Sequence, residues 1–120
     1  MTRHSVTLRL HHMLEHAREA IMFASGRSRS ELDQDRMLNL ALVRLLEIVG
    51  EAAARVPAGE RERWPAIPWE PIIGLRNRLV HGYDDVDLDI LWAIVTQDLP
   101  PLVSELEKAF PPDRGAPTPP

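Results

Sequence analysis

The sequence predicts an all-α fold, an antiparallel helical bundle of about four main helices. Three observations lead there. Apolar residues recur at i, i+3, i+4 and i+7 along three long stretches, the spacing of a single helix face. No stretch shows the strict alternation of a half-buried strand. The links between stretches are short, so that neighbouring helices run antiparallel.

The first helix carries the stripe Leu10, Met13, Leu14, Ala17, Ile21 and Ala24 and ends around Ser25-Gly26. The second is expected to begin near Ser30-Glu31-Leu32-Asp33, which reads as a capping box. It continues through Leu38, Ala41, Leu42, Leu45, Val49, Ala52 and Val56, and Pro57 and Gly59 stop it. Pro65 and Pro68 argue against regular helix in the connector from about 57 to 68. A short third helix is predicted from about Trp69 to His81, with Pro71 in its first turn and Gly82 at the left-handed position that closes it. One of Asp84, Asp85, Asp87 and Asp89 should cap the fourth helix. Its stripe is Leu88, Leu91, Val95, Leu99, Leu102 and Leu106, with a kink or split expected at Pro100-Pro101. The tail 111–120 holds five of the chain's 11 prolines. It reads as a flexible, disordered segment after a helical domain of residues 1–110.

Composition narrows the function. The chain has 120 residues and no cysteine, which excludes disulfides, thiolate metal sites and a thiol nucleophile. No apolar run reaches the roughly 18 residues of a membrane span, so the expectation is a cytoplasmic protein with no membrane partner. The net charge of −4 is unlike that of a general nucleic-acid binder, and any RNA contact must come from a local basic patch.

Such a patch stands at Arg76-Asn77-Arg78-Leu79-Val80-His81-Gly82-Tyr83, where two Arg, an Asn, a His and the single Tyr fall within eight residues. On a continuous helix, Asn77 and His81 would share a face at i, i+4, with the long Arg76 side chain reaching across its edge. Imidazole is the side chain that titrates nearest neutral pH, so His81 can carry a proton in RNA cleavage by an attacking 2′-OH. Arg76 can stabilise charge on the phosphoryl oxygens, Asn77 can orient a phosphate oxygen or the imidazole, and Tyr83 can donate a hydrogen bond. A cap or salt bridge at a helix end is the competing reading of the same residues.

Arg76, His81 and Tyr83 at R-x4-H-x-Y spacing resemble the signature of HEPN domains. More narrowly, the chain resembles the HepT toxins paired with minimal nucleotidyltransferase antitoxins. Gly50-Glu51-Ala52, Ile67-Pro68-Trp69, Arg76-Asn77, His81-Gly82-Tyr83 and Leu91-Trp92 follow in the family's order, over roughly residues 8 to 106. The resemblance implies a helical bundle, a homodimer with the motif at a shared cleft, and endoribonuclease activity toward RNA with Arg76, Asn77, His81 and Tyr83 as site residues. It also implies a nucleotidyltransferase antitoxin that adds AMP to Tyr83. No cofactor or metal is expected.

Other residues carry weaker expectations. Arg78 reads as a solvated or phosphate-contacting accessory. Glu51 either orients Arg76 or forms a salt bridge. His11, His12 and His16 resemble a metal cluster but lack a third ligand at motif spacing. Trp69 and Trp92 read as core or interface anchors more readily than as base-stacking platforms. Two alternatives to a toxin enzyme stay open: a non-catalytic HEPN binding module that serves a nucleotidyltransferase, and a structural dimer without activity.

Overall fold

The computed structural model describes residues 2–82 and 85–110. Its elements are α1 (Arg3–Ala24), α2 (Glu31–Gln34), α3 (Arg36–Ala54), α4 (Ala58–Arg61), α5 (Trp69–Ile73), α6 (Leu75–Leu79), α7 (Leu88–Ala93), a π-helical turn (Ile94–Asp98) and α8 (Leu99–Glu107). The expected all-α bundle is present. α1, α3 and the composite rod from α7 to α8 are its three long members, and the broken α5–α6 pair supplies the fourth. α1 lies between α3 and α8, while α3 carries α5 and α6 as well. Phe23 at the end of α1 lines one surface cavity with Met37 and Leu38 at the start of α3, so these two helices run antiparallel.

The apolar stripes become the core. Met13, Ala17 and Ala20 of α1, Leu42, Leu46, Val49 and Ala53 of α3, and Leu91, Ile94 and Leu106 of the last rod are all fully buried. The alanines let the helices approach closely, and the larger side chains fill the space between them. No described polar or charged residue is buried. Any chemistry in the described residues therefore sits on the surface of the bundle.

α1 begins two turns before the first residue of its predicted stripe. Thr2 caps it by accepting from Ser5 N–H at 3.1 Å, and Val6 adds a further buried position. The start of the second helix differs from expectation. Ser30 is already in the helical region and makes no capping bond. The single turn α2 gives way at Asp35, which turns extended (φ −107°, ψ 91°) and accepts from Leu38 N–H at 3.0 Å. The carboxylate that caps α3 is therefore two residues beyond the predicted capping box. Arg27 holds this corner by bridging Glu31 and Asp35.

The fourth helix behaves as expected at both places singled out. Asp87 caps it by accepting from Ile90 N–H at 3.0 Å. The kink takes the form of a π-helical turn, in which Leu99 N–H reaches Ile94 O. Pro100 and Pro101 have no N–H to donate, and one extra residue in the preceding turn accommodates them.

Candidate active site

The predicted helix from Trp69 to His81 is interrupted. It breaks at Gly74, resumes as α6 and stops at Leu79. Its base is anchored by Trp69, buried, whose indole N–H donates to the carbonyls of Trp64 (3.1 Å) and Arg61 (3.2 Å). Ile72, Leu75 and Leu79 point into the core. Three inward positions at this spacing leave Arg76, Asn77 and Arg78 facing solvent, and all three are exposed.

Beyond Leu79 the chain turns extended. Val80 (φ −112°, ψ 117°) forms an antiparallel bridge with Val86. His81 N–H donates to Asp85 O at 2.7 Å, and Asp87 N–H to Leu79 O at 2.9 Å. Gly82, at φ +129°, supplies the positive φ that its position predicted, but in the turn of this small hairpin and not at a helix C′ site. The expectation that Asn77 and His81 share a helix face is thereby corrected. β-branched Val80 takes an extended conformation that pairs with Val86, so the helix ends before His81. His81 is held, exposed, on the hairpin arm beside the end of α6. Tyr83 and Asp84 lie outside the described residues, as does the tail 111–120.

Arg76 and Asn77 line a surface cavity of about 220 Å³ with Glu47, Gly50, Glu51 and Ile73. Its floor depends on Gly50. A Cβ there would lie 3.0 Å from Ile72 O and 3.8 Å from Ile73 O, so only glycine lets α3 pass this close to the end of α5. Arg78 points elsewhere. It lines a separate, mainly apolar cavity of about 290 Å³ with Pro71, Ile72, Leu75, Leu99 and Leu102. Asn77 and Arg76 are thus brought together, and Arg78 is set apart from them.

Glu51 stands across the cavity from Arg76, but its ion-pair partner is Arg44, at 3.5 Å. Arg44 also approaches Glu47, at 3.7 Å. Among the described residues neither Arg76 nor Arg78 forms a salt bridge, and the same holds for Arg3, Arg9, Arg36, Arg55 and Arg61, whereas Arg18, Arg27, Arg29, Arg44 and Arg63 are paired. In an acidic protein, two exposed arginines on one short helix, unpaired among the described residues, are local anion-attracting groups.

The comparisons with known proteins bear directly on this site. The "Ribonuclease HepT-like" family profile matches residues 13–109, which include the whole stretch from α3 through the His81 hairpin. The chain belongs to the ribonuclease HepT-like family. "Putative RNase MJ1380" of Methanocaldococcus jannaschii is 36% identical over 107 residues, covering 89% of this chain and 98% of that one. "Putative RNase TTE0752" of Caldanaerobacter subterraneus is 33% identical over 99 residues, 82% of this chain and 88% of that one. "Probable ribonuclease HepT" of Thermococcus cleftensis is 38% identical over 74 residues, 62% and 67% of the two chains. No solved structure gives a significant match.

The remaining candidates in this HepT-like chain take structural places. His11 Nε2 pairs with Glu15 at 2.8 Å, and the ring of His16 bonds through Nδ1 to His12 O at 2.6 Å. No group of three or more metal-ligating side chains comes together among the described residues. Trp92 packs partly buried against the core, as expected. No described helix is long and apolar enough to cross a membrane. Glu47 is the residue that the sequence reading missed. Its signal was its position one helical turn before Glu51, on the same face of α3.

Proposed function

We propose that this chain is a metal-independent endoribonuclease toxin in which Arg76, Asn77, His81 and Tyr83 do the chemistry. One observation carries the reading: a HepT-like family member presents Arg76 and Asn77 exposed on one cavity, and His81 exposed on the next turn of chain. In the reaction, the substrate 2′-oxygen bonds to the adjacent phosphorus while the bond from phosphorus to the 5′-oxygen breaks. The products are a 2′,3′-cyclic phosphate and a 5′-hydroxyl. His81 takes the 2′-OH proton. Arg76 stabilises the charge that develops on the phosphoryl oxygens, and Asn77 orients one of them. The leaving oxygen needs a proton from a second group. Tyr83, or His81 of a second copy in a homodimer, supplies it.

Two features support the dimer. Large apolar side chains are exposed where α1 ends and α3 begins: Met22 (63% exposed), Met37 (83%) and Leu40 (50%). Met37 and Leu40 also lie on the same face of α3 as Arg44, Glu47 and Glu51, so the exposed apolar pair shares a helix face with the carboxylates of the Arg76 cavity. Large apolar side chains left exposed near one another in the fold are candidates for a protein contact.

Control belongs to the same site. A nucleotidyltransferase antitoxin that adds AMP to Tyr83 would attach an anionic phosphodiester to the same motif, a group able to compete with RNA for the Arg76 guanidinium.

The test uses purified, unmodified protein and RNA, with and without EDTA. Cleavage that persists in EDTA and drops roughly 10²–10³-fold or more in His81→Ala and Arg76→Ala is expected. Both side chains are exposed, so these variants fold. RNA binding without cleavage by the wild-type protein would favour the binding-module reading.

A further inference from the structure

The cavity beside Arg76 has a charge pattern that phosphate binding alone does not explain. Arg76 and Asn77 form its α6 side, and Glu47 and Glu51 form its α3 side. Two carboxylates in that position repel an approaching phosphate. At an RNA-cleaving site they weaken binding unless the substrate brings N–H donors to meet them. Arg44 neutralises them only loosely, at 3.5 and 3.7 Å and without a hydrogen bond to either, so both carboxylates keep acceptor capacity.

Building on the ribonuclease reading above, we infer that this cavity is a base-selecting subsite, in which Glu47 and Glu51 accept N–H donors from the Watson–Crick edge of an unpaired guanine at the cleavage position. The volume of about 220 Å³ admits one flipped-out base and excludes a duplex. Its floor at Gly50 carries no side chain, and Ile73 offers an apolar wall to the ring face. Guanine presents N1–H and N2–H side by side, which matches the two oxygens of a carboxylate. Adenine and cytosine present a single amino group. Uracil presents N3–H between two carbonyl oxygens, which carboxylates repel. Reading base edges of single-stranded RNA in this manner is the usual route to sequence preference, and Arg76 on the facing side stays free for the attached phosphate.

The experiment compares cleavage rates of the full, unmodified chain on single-stranded oligonucleotides that differ only in the base at one site. Guanine should exceed uracil by roughly 10-fold to 100-fold, the discrimination of one bidentate contact to a base edge. Inosine at that site, which lacks the N2 amine, should lose most of the preference, and 7-deazaguanine, with its Watson–Crick edge intact, should keep it. These probes leave the protein untouched. In the Glu47→Gln/Glu51→Gln double variant, the guanine-to-uracil ratio should fall to within about 3-fold of unity, because each Gln replaces an acceptor with a donor. Equal rates on all four bases, or a uniform fall on all four in the double variant, would overturn the inference. The uniform fall would mark the carboxylates as positioning Arg76. Loss of dimer with the ratio unchanged would also overturn it, and assign the carboxylates to the interface. Absence of cleavage on any RNA would instead count against the ribonuclease reading itself.

Discussion

A single methyl group, placed at two different glycines, tests how closely α3 and α5 must meet for the site to exist. Gly50 lies within α3 and Gly59 within α4, and both take ordinary negative φ. In a helix interior, Ala is favoured over Gly by about 1 kcal/mol. At Gly59 nothing lies within 4 Å of the added Cβ, so Gly59→Ala should be neutral or stabilise by up to about 1 kcal/mol. At Gly50 the same Cβ lies 3.0 Å from Ile72 O. A backbone carbonyl cannot swing aside as a side chain can. α5 must move by a few tenths of an ångström, at a cost of about 1–3 kcal/mol typical of overpacking. That cost set against the propensity gain leaves Gly50→Ala destabilised by roughly 0–2 kcal/mol. With the same propensity gain at both sites, the two variants should differ by the overpacking cost alone, about 1–3 kcal/mol, in urea-induced unfolding. Movement of α5 also carries Ile73, Arg76 and Asn77 away from α3. RNA cleavage should therefore fall in Gly50→Ala under conditions where the protein is fully folded, and stay at the wild-type rate in Gly59→Ala. Equal unfolding midpoints for the two variants, or full cleavage by a normally folded Gly50→Ala, would refute the claim that this approach sets the site.

Three further outcomes are expected. The Asp35 carboxyl is held below the ordinary carboxylate range, first by its bond from Leu38 N–H and then by Arg27. Its contribution to stability is thus complete above the unfolded value of about 4 and is lost as pH falls through the lowered folded value. Asp35→Asn, which keeps a cap but removes the charge, should melt below wild type at pH 7 and converge toward it in strong acid; a constant gap from pH 7 to pH 2 would exclude the linkage. Co-expression with a cognate nucleotidyltransferase should give AMP-sized mass increments on the wild-type chain and none on Tyr83→Phe, and silencing without any increment would leave steric inhibition in place of covalent control. Light scattering should report a dimer at micromolar concentration that weakens in Met37→Asp, whereas a monomer throughout would remove the shared-cleft version of the mechanism.

The all-α class was legible because helical periodicity is a local property of the chain. Leu42, Leu45 and Val49, or Leu91, Val95 and Leu99, announce one buried face whatever they pack against. The cap at Asp87 and the break at Pro100-Pro101 were legible for the same reason, since each depends on one residue's own hydrogen-bonding capacity or its lack of an N–H. The family was legible from the order of short motifs around Arg76 and His81. Three matters were decided only by tertiary structure. α3 is capped at Asp35 and not at the Ser30 box, because Arg27 and the turn at the end of α1 hold that corner. His81 leaves the helix because Val80 finds a partner in Val86 six residues on, and a pairing across a turn outweighs the modest helix preference of a β-branched residue. The Arg76 cavity acquires two carboxylates because Gly50 lets α3 pass close to α5. Glu47 and Arg76 stand 29 positions apart in the chain, a separation over which local spacing says nothing about which side chains share a groove. Only the packing of one helix on another brings them into it.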